Sequence, residues 1–184
     1  MDQKRIVLGI DPGTSVTGFG VLEVEKNQKT IKDIGIIDLR KIKDPYRKLK
    51  KIFENVSALI VKYGVNEFAV EAPFFGKNVQ SMLKLGKSQG VAIAAALSKD
   101  IEITEYSPRK IKLAVTGNGS ASKEQVAVFL KRQLGNFKDT LTQDATDALA
   151  VALCHVSGYK NLESTSNSAK SWKAFINKNP GRVQ

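Results

Sequence analysis

Residues 5–39 read RIVLGIDPGTSVTGFGVLEVEKNQKTIKDIGIIDL, and their pattern decides the fold. Residues 5–10 form a short apolar run suited to a buried strand, and 17–24 form a second. Pro12, Gly13, Thr14 and Ser15 make the turn between them. A third run, 31–39, follows the polar connection Lys26-Asn27-Gln28-Lys29. Three strands on short links predict an antiparallel meander at the start of the domain.

Downstream the period changes from two to between three and four. Leu49, Ile52, Phe53, Val56, Leu59, Ile60 and Tyr63 recur at helical spacing from Pro45 to the stop at Gly64. Residues 67–71 read as a short strand ended by Pro73, 78–99 as a helix and 101–106 as a strand. Pro108 opens a helix over 108–115 that breaks at Gly117-Asn118-Gly119. Ser120 or Ser122 caps the next, with Glu124 and Gln125 placed for a capping box. Val126, Val128, Phe129 and Leu130 are its apolar residues, and Gly135 ends it. The last helix spans about 141–156, with Leu141, Ala145, Ala148, Leu149, Ala152 and Leu153 as its buried stripe. The predicted class is α/β, with a mixed five-stranded sheet flanked by helices.

A chain of 184 residues with 42% hydrophobic content is long enough for one core, burying roughly 70% of its unfolded surface. The expected division is a domain over 1–158 and a polar, basic tail over 159–184. Lysine and arginine number 29 against 18 acids, a net charge of +11, which suits a polyanionic partner. About +4 of that surplus lies in the tail and about +7 in the folded part. Apolar runs such as 91–97 fall well short of the roughly 18 to 20 residues of a membrane span. The N-terminus lacks the zones of a signal peptide, so a cytoplasmic protein is expected. A single cysteine, Cys154, excludes an internal disulfide framework.

Acids at the ends of apolar runs are informative in so basic a chain, because a buried carboxylate costs several kcal/mol, on the order expected for an unpaired ion, unless a cation balances it. Asp11 ends the first strand and Glu71 ends Phe68-Ala69-Val70. Asp144 and Asp147, three apart, project within about 60° of one another on the last helix. If the strands carrying Asp11 and Glu71 are neighbours and that helix packs over their ends, four carboxylates converge. Oxygen-only ligands suit magnesium or manganese. Two such ions about 4 Å apart can drive phosphodiester cleavage. The structural alternatives are Asp11 as a turn-former and Asp144 as a helix cap.

Gly9-Ile10-Asp11-Pro12-Gly13-Thr14 with Gly18-Phe19-Gly20-Val21 resembles the opening of the RuvC family of Holliday-junction resolvases. The resemblance continues through Val70-Glu71, Lys77-Asn78, Leu83-Lys84-Leu85-Gly86, Gln89-Gly90-Val91-Ala92 and Pro108-Arg109-Lys110-Ile111-Lys112. It resumes at residues 117–126 and 144–150, and covers about residues 4–158 in order and spacing. It implies an RNase H-like fold and a homodimeric, Mg2+-dependent endonuclease that makes paired symmetric nicks in four-way DNA junctions during recombination and repair. Two Mg2+ ions per site are expected, with Mn2+ able to replace them. The resemblance further implies cooperation with the RuvA and RuvB branch-migration proteins.

Carried over residue by residue, the resemblance makes Asp11, Glu71, Asp144 and Asp147 the catalytic, metal-binding acids; the third position is His in some relatives and Asp144 here. Lys112 and Lys123 occupy the positions of functional lysines near the scissile phosphate, where they would offset charge in the transition state. Phe74 resembles the aromatic that stacks on unpaired bases, and its neighbour Phe75 is a second candidate for that contact. Lys77, Lys84 and Lys87, with Arg109, Lys110 and Lys112, are expected to follow phosphates without reading sequence. Gly86, Gly90 and Ala94 recur every four residues and make a smooth helix face, either packed on the sheet or forming the dimer contact. His155 lies about 16 Å along the last helix from Asp144, too far to be a metal ligand there. Cys154 is read as core.

A Gly-Ile-Asp-x-Gly-Thr turn also opens the actin, chaperone and sugar-kinase ATPases, but those need two lobes around a nucleotide. An RNA-cleaving RNase H relative and a non-catalytic DNA-binding module are the other rivals. The four acids argue against the latter.

Overall fold

The structure, a computed structural model, describes residues 4–26, 28–73, 78–135, 137 and 142–158. The expectations placed on Phe74, Phe75, Lys77, Leu141 and the tail over 159–184 lie outside the described residues.

The elements run β1 (Arg5–Asp11), β2 (Val16–Glu25), β3 (Gln28–Asp38), α1 (Pro45–Tyr63), β4 (Glu67–Glu71), α2 (Val79–Leu97), β5 (Ile103–Tyr106), α3 (Pro108–Thr116), α4 (Lys123–Leu134) and α5 (Gln143–Val156). The sheet order is β3-β2-β1-β4-β5. The first three strands form the antiparallel meander, while β4 and β5 join in parallel through helical crossovers. This is the mixed five-stranded sheet expected from the sequence.

Strand alternation divides the core in two. Leu8, Ile10, Val21, Phe68 and Val70 face α1 and α2. Val7, Leu22, Ala69 and Tyr106 face the layer containing α3, α4 and α5. On β1 the residues alternating with Leu8 and Ile10 are Val7, Gly9 and Asp11, so Asp11 shares the α5 face.

Glycine lets that helix approach. A Cβ at Gly9 would lie 2.6 Å from the Ala152 backbone nitrogen, and one at Gly20 would lie 2.8 Å from the Leu149 Cα. At Gly18 it would lie 2.0 Å from the Asp144 carbonyl oxygen. The backbone of α5 therefore rests on three glycines of β1 and β2, closer than any side chain would allow. The far end of the helix is tied by charge. His155 Nε2 meets Glu67 Oε2 at 2.5 Å, Arg5 holds the same carboxylate through two bonds at 2.6 and 2.7 Å, and the Tyr106 hydroxyl lies 3.0 Å from His155 Nδ1. His155 thus serves the architecture, and Cys154 is buried beside it.

Local signals explain the helix ends. Asp44 caps α1 by accepting from the Arg47 N–H at 2.8 Å, and Gly64 ends it with φ 64°. Ser107 caps α3 ahead of Pro108, and Gly117 closes it at φ 76°. Of the two serines considered for α4, Ser122 is the cap, in a reciprocal box with Gln125.

Several expectations need correction. Val128 is 64% exposed and Phe53 is 39% exposed, because each falls at the edge of its helix's apolar stripe or beyond it. The last strand starts at Ile103, since Ile101 is buried in the turn that leaves α2. Gly86 is only half-buried, and Gly90 and Ala94 are exposed; a Cβ at either glycine would meet nothing within 4 Å. The packed-on-sheet reading of that face is wrong, because Ser88, Gln89, Ala92, Ala95 and Ala96 take the inward positions.

Candidate active site

The register of β1 with β4 pairs Ile10 with Val70, so Asp11 and Glu71 stand next along the two parallel strands, side by side at their C-terminal ends. On β4 the same-face residues Glu67, Ala69 and Glu71 run beneath α5 from its last turn towards its first. Glu67 meets His155, while Glu71 reaches the cleft that also contains Asp147. The seating of α5 on the glycines thereby brings its N-terminal acids over the strand ends.

The cleft has a volume of about 640 Å³ and is lined by Asp11, Glu71 and Asp147 together with Arg109, Lys112 and Lys123. Asp144, in the first turn of α5, does not line the cleft, although its charge is still felt at Asp11. The two lysines come from α3 and α4, and the Ser122 cap sets Lys123 at the first position of α4. Lys123 Nζ donates to Asp147 Oδ2 at 2.6 Å.

Electrostatics set these acids apart. Burial raises the Asp11 carboxyl, and the charges of Glu71, Asp147 and Asp144 push it further, to about 8, against the pull of Lys123. Glu71 is raised by burial and by Asp147, with Lys123, a hydrogen bond from Asp11 and Lys112 opposing. Burial works against the Lys123 charge, but its bond to Asp147 and the fields of Asp11 and Glu71 raise it overall. The acids are thus crowded enough that Asp11 holds its proton well above the usual carboxylate range. Among the described residues no three acidic, histidine or cysteine side chains stand close enough together to hold a metal ion as they are placed. The donor set still fits a hard divalent cation, since it is all oxygen and its acids repel one another.

Not every expected residue faces this cleft. Lys110 turns away, its Nζ 5.5 Å from the centre of the Tyr106 ring. Lys84 and Lys87 line a separate cleft on the other side of the β1–β2 turn. Arg109 is in place, packed so closely on Gly119 that a Cβ there would lie 2.8 Å from its Cγ.

One contributor was not assigned a role from the sequence. The buried Gln89 of α2 donates from Nε2 to Glu105 Oε2 at 2.8 Å and to the Glu71 backbone carbonyl at 3.3 Å. It pins the end of β4 where Glu71 emerges. A glutamine among the small residues of an otherwise smooth helix was the available signal.

Residues 7–155 match the family model described as Crossover junction endodeoxyribonuclease RuvC. The chain belongs to the RuvC family. It is 54% identical to the crossover junction endodeoxyribonuclease RuvC of Bacteroides fragilis, an alignment covering 99% of this chain and 97% of the relative. With the RuvC of Christiangramia forsetii it shares 51% identity over 100% of this chain and 95% of the other. A solved structure of Thermus thermophilus RuvC in complex with Holliday junction substrate superposes with a TM-score of 0.77 at 27% identity. That alignment covers 83% of this chain and 93% of the other. The RuvC family is one of RNase H-like nucleases, and the chain is a crossover junction endodeoxyribonuclease, a DNA-cutting hydrolase of recombination and repair.

Proposed function

We propose that this cleft carries out paired, symmetric hydrolysis of four-way DNA junctions, with Asp11, Glu71, Asp144 and Asp147 holding Mg2+, two ions per site, and Mn2+ able to replace it. The observation that carries the proposal is the crowding of half-buried carboxylates where two parallel strands end under α5, in a chain of net charge +11. Bound divalent ions would activate a water and stabilise the leaving oxygen.

The chain's own residues perform the rest. Asp11 and Glu71, on rigid strand ends, fix the position of the attacked phosphate relative to the protein. Asp147 holds Lys123 through a charged hydrogen bond, and Lys123 stays protonated there. Lys112, on the same wall, adds a second positive charge where negative charge grows during bond cleavage. Arg109, at the rim, holds a neighbouring phosphate without reading bases.

Two cuts on opposite strands require two such clefts related by a twofold axis. The outward face of α2 supports the contact: Leu83 and Leu97 are 57% and 56% exposed, and Gly90 and Ala94 between them are exposed as well. Its smoothness permits close approach by a second copy. Partnership with RuvA and RuvB completes the proposed setting, in the cytoplasm. No helix among the described residues is long and apolar enough to cross a membrane.

The test compares labelled four-way junction, linear duplex and RNA–DNA hybrid, with and without magnesium. Paired nicks on the junction only, lost in Asp11→Asn with binding retained, are expected. Cutting of the hybrid but not the junction would overturn the proposal. Light scattering of the junction-bound protein, corrected for DNA mass, should give twice the 20.1 kDa of one chain; a single chain would refute the dimer.

A further inference from the structure

Between residues 40 and 51 the sequence reads RKIKDPYRKLKK, with seven basic residues and one acid. The acid, Asp44, is engaged as the α1 cap. Three of the basic residues also have partners: Arg40 pairs with Asp38 at 2.8 Å, Lys50 with Glu54 at 3.6 Å, and Lys51 donates to the Asp38 carbonyl at 2.9 Å. Lys43 and Lys48 instead converge with Lys84 and Lys87 of α2 on a cleft of about 580 Å³. Thr14 and Ser15 of the β1–β2 turn supply hydroxyls to the same cleft, and no carboxylate lines it. Lys48 is fixed there by donating to the Thr14 carbonyl at 2.9 Å. Lys43, Lys84 and Lys87 are exposed and make no ion pair among the described residues. Four ammonium groups around a concave surface without a counter-charge, flanked by hydroxyl donors, match an anion with several acceptor oxygens.

The position of this cleft narrows the identity of that anion. Asp11 is in the catalytic cleft, and Thr14, three residues on, is in the basic one. With consecutive Cα atoms 3.8 Å apart, the turn separates them by at most about 11 Å. A DNA strand advances about 3.4 Å per nucleotide along the helix axis, so phosphates roughly two to four nucleotides from the cut come within reach of the lysines. We propose that the cleft between the β1–β2 turn, α1 and α2 is a second phosphate-binding site, which grips the backbone of the strand being cut a few nucleotides from the scissile bond. This rests on the junction-cutting function proposed above. The grip is independent of sequence, because ammonium and hydroxyl donors aimed at phosphate oxygens read no base edge.

The test is made in an Asp11→Asn background, so that binding is measured without cutting. Labelled four-way junction is titrated by fluorescence anisotropy across 50–200 mM salt, the range over which phosphate contacts declare themselves. Lys43→Gln with Lys87→Gln, present in both copies of the dimer on one junction, should flatten the slope of log Kd against log salt by about 3.6, or about 0.9 for each of the four phosphates no longer neutralised. Arginine at both positions should restore it. Lys26→Gln with Lys29→Gln, on the hairpin at the opposite end of the sheet, should leave it unchanged. An unchanged slope in the Lys43 and Lys87 variant, or an equal change in the hairpin control, overturns the site. A parent protein that binds no junction at all overturns the function on which the site depends, whereas a binding parent with an unmoved variant overturns the site alone.

Discussion

Gly18→Ala should disable the enzyme through the backbone of α5 while changing no candidate catalytic side chain. Gly18 pairs with Asp11 across β1 and β2. A Cβ there would stand 2.0 Å from the Asp144 carbonyl oxygen and 2.6 Å from its carbonyl carbon. Carbon and carbonyl oxygen in contact keep about 3.3 Å or more, so the first turn of α5 has to retreat by about 1.3 Å. Because the obstructing atoms belong to the main chain, no rotamer change relieves the clash. Asp144 and Asp147 travel with that turn. A displacement of about 1 Å in reacting groups costs on the order of 100-fold in rate. Overpacking of this kind costs about 1–3 kcal/mol, or roughly 2–12 °C in the melting midpoint of a domain this size. Single-turnover cleavage of labelled junction at saturating enzyme, alongside calorimetry, measures both quantities. A wild-type cleavage rate in a folded Gly18→Ala protein would refute the argument that glycine seating positions the acids.

Asp11→Asn should stabilise the protein in EDTA as it removes activity. A carboxyl raised from 3.8 to about 8 destabilises the fold increasingly as pH rises between those values, and the penalty is absent below the lower one. At pH 7 the ceiling is about 4 kcal/mol, from 1.36 kcal/mol per unit. Half to all of that corresponds to a rise of roughly 4–16 °C in melting midpoint. The gain should vanish near pH 4, and thermal scans showing no gain at pH 7 would contradict the assigned electrostatics. Gln89→Leu removes the bonds to Glu71 and Glu105, and should slow junction cleavage by about 2- to 10-fold, the worth of one hydrogen bond, with junction affinity unchanged. An unaltered rate would leave Gln89 a packing residue only.

Much of this arrangement was legible because it is local. Runs of period two and of helical spacing mark the strands and helices, and Pro108, Gly64 and Ser122 mark ends through their own backbone chemistry. The four acids drew notice because a carboxylate closing an apolar run is expensive without a partner. Side-chain direction at the rims was not legible. Lys110 and Lys112 are two apart on α3, so they point to different sides: one lies over Tyr106 and the other lines the cleft. Lys84 and Lys87 keep their basic company but belong to a different cleft from Arg109. The face carrying Gly90 and Ala94 could have packed inward or outward, since small residues suit both.

By itself the sequence determined the class of fold, the basic charge and which acids are candidates for the site, because these depend on residue type and spacing along one chain. Only the tertiary structure decided that Asp11 and Glu71 emerge side by side, through the parallel pairing of β1 with β4. It also decided that α5 reaches them, because three glycines on two strands leave room for a helix backbone where any side chain would hold it away. That fit depends on atoms brought together from residues 9, 18, 20 and 144–152, and distance along the chain carries no measure of it.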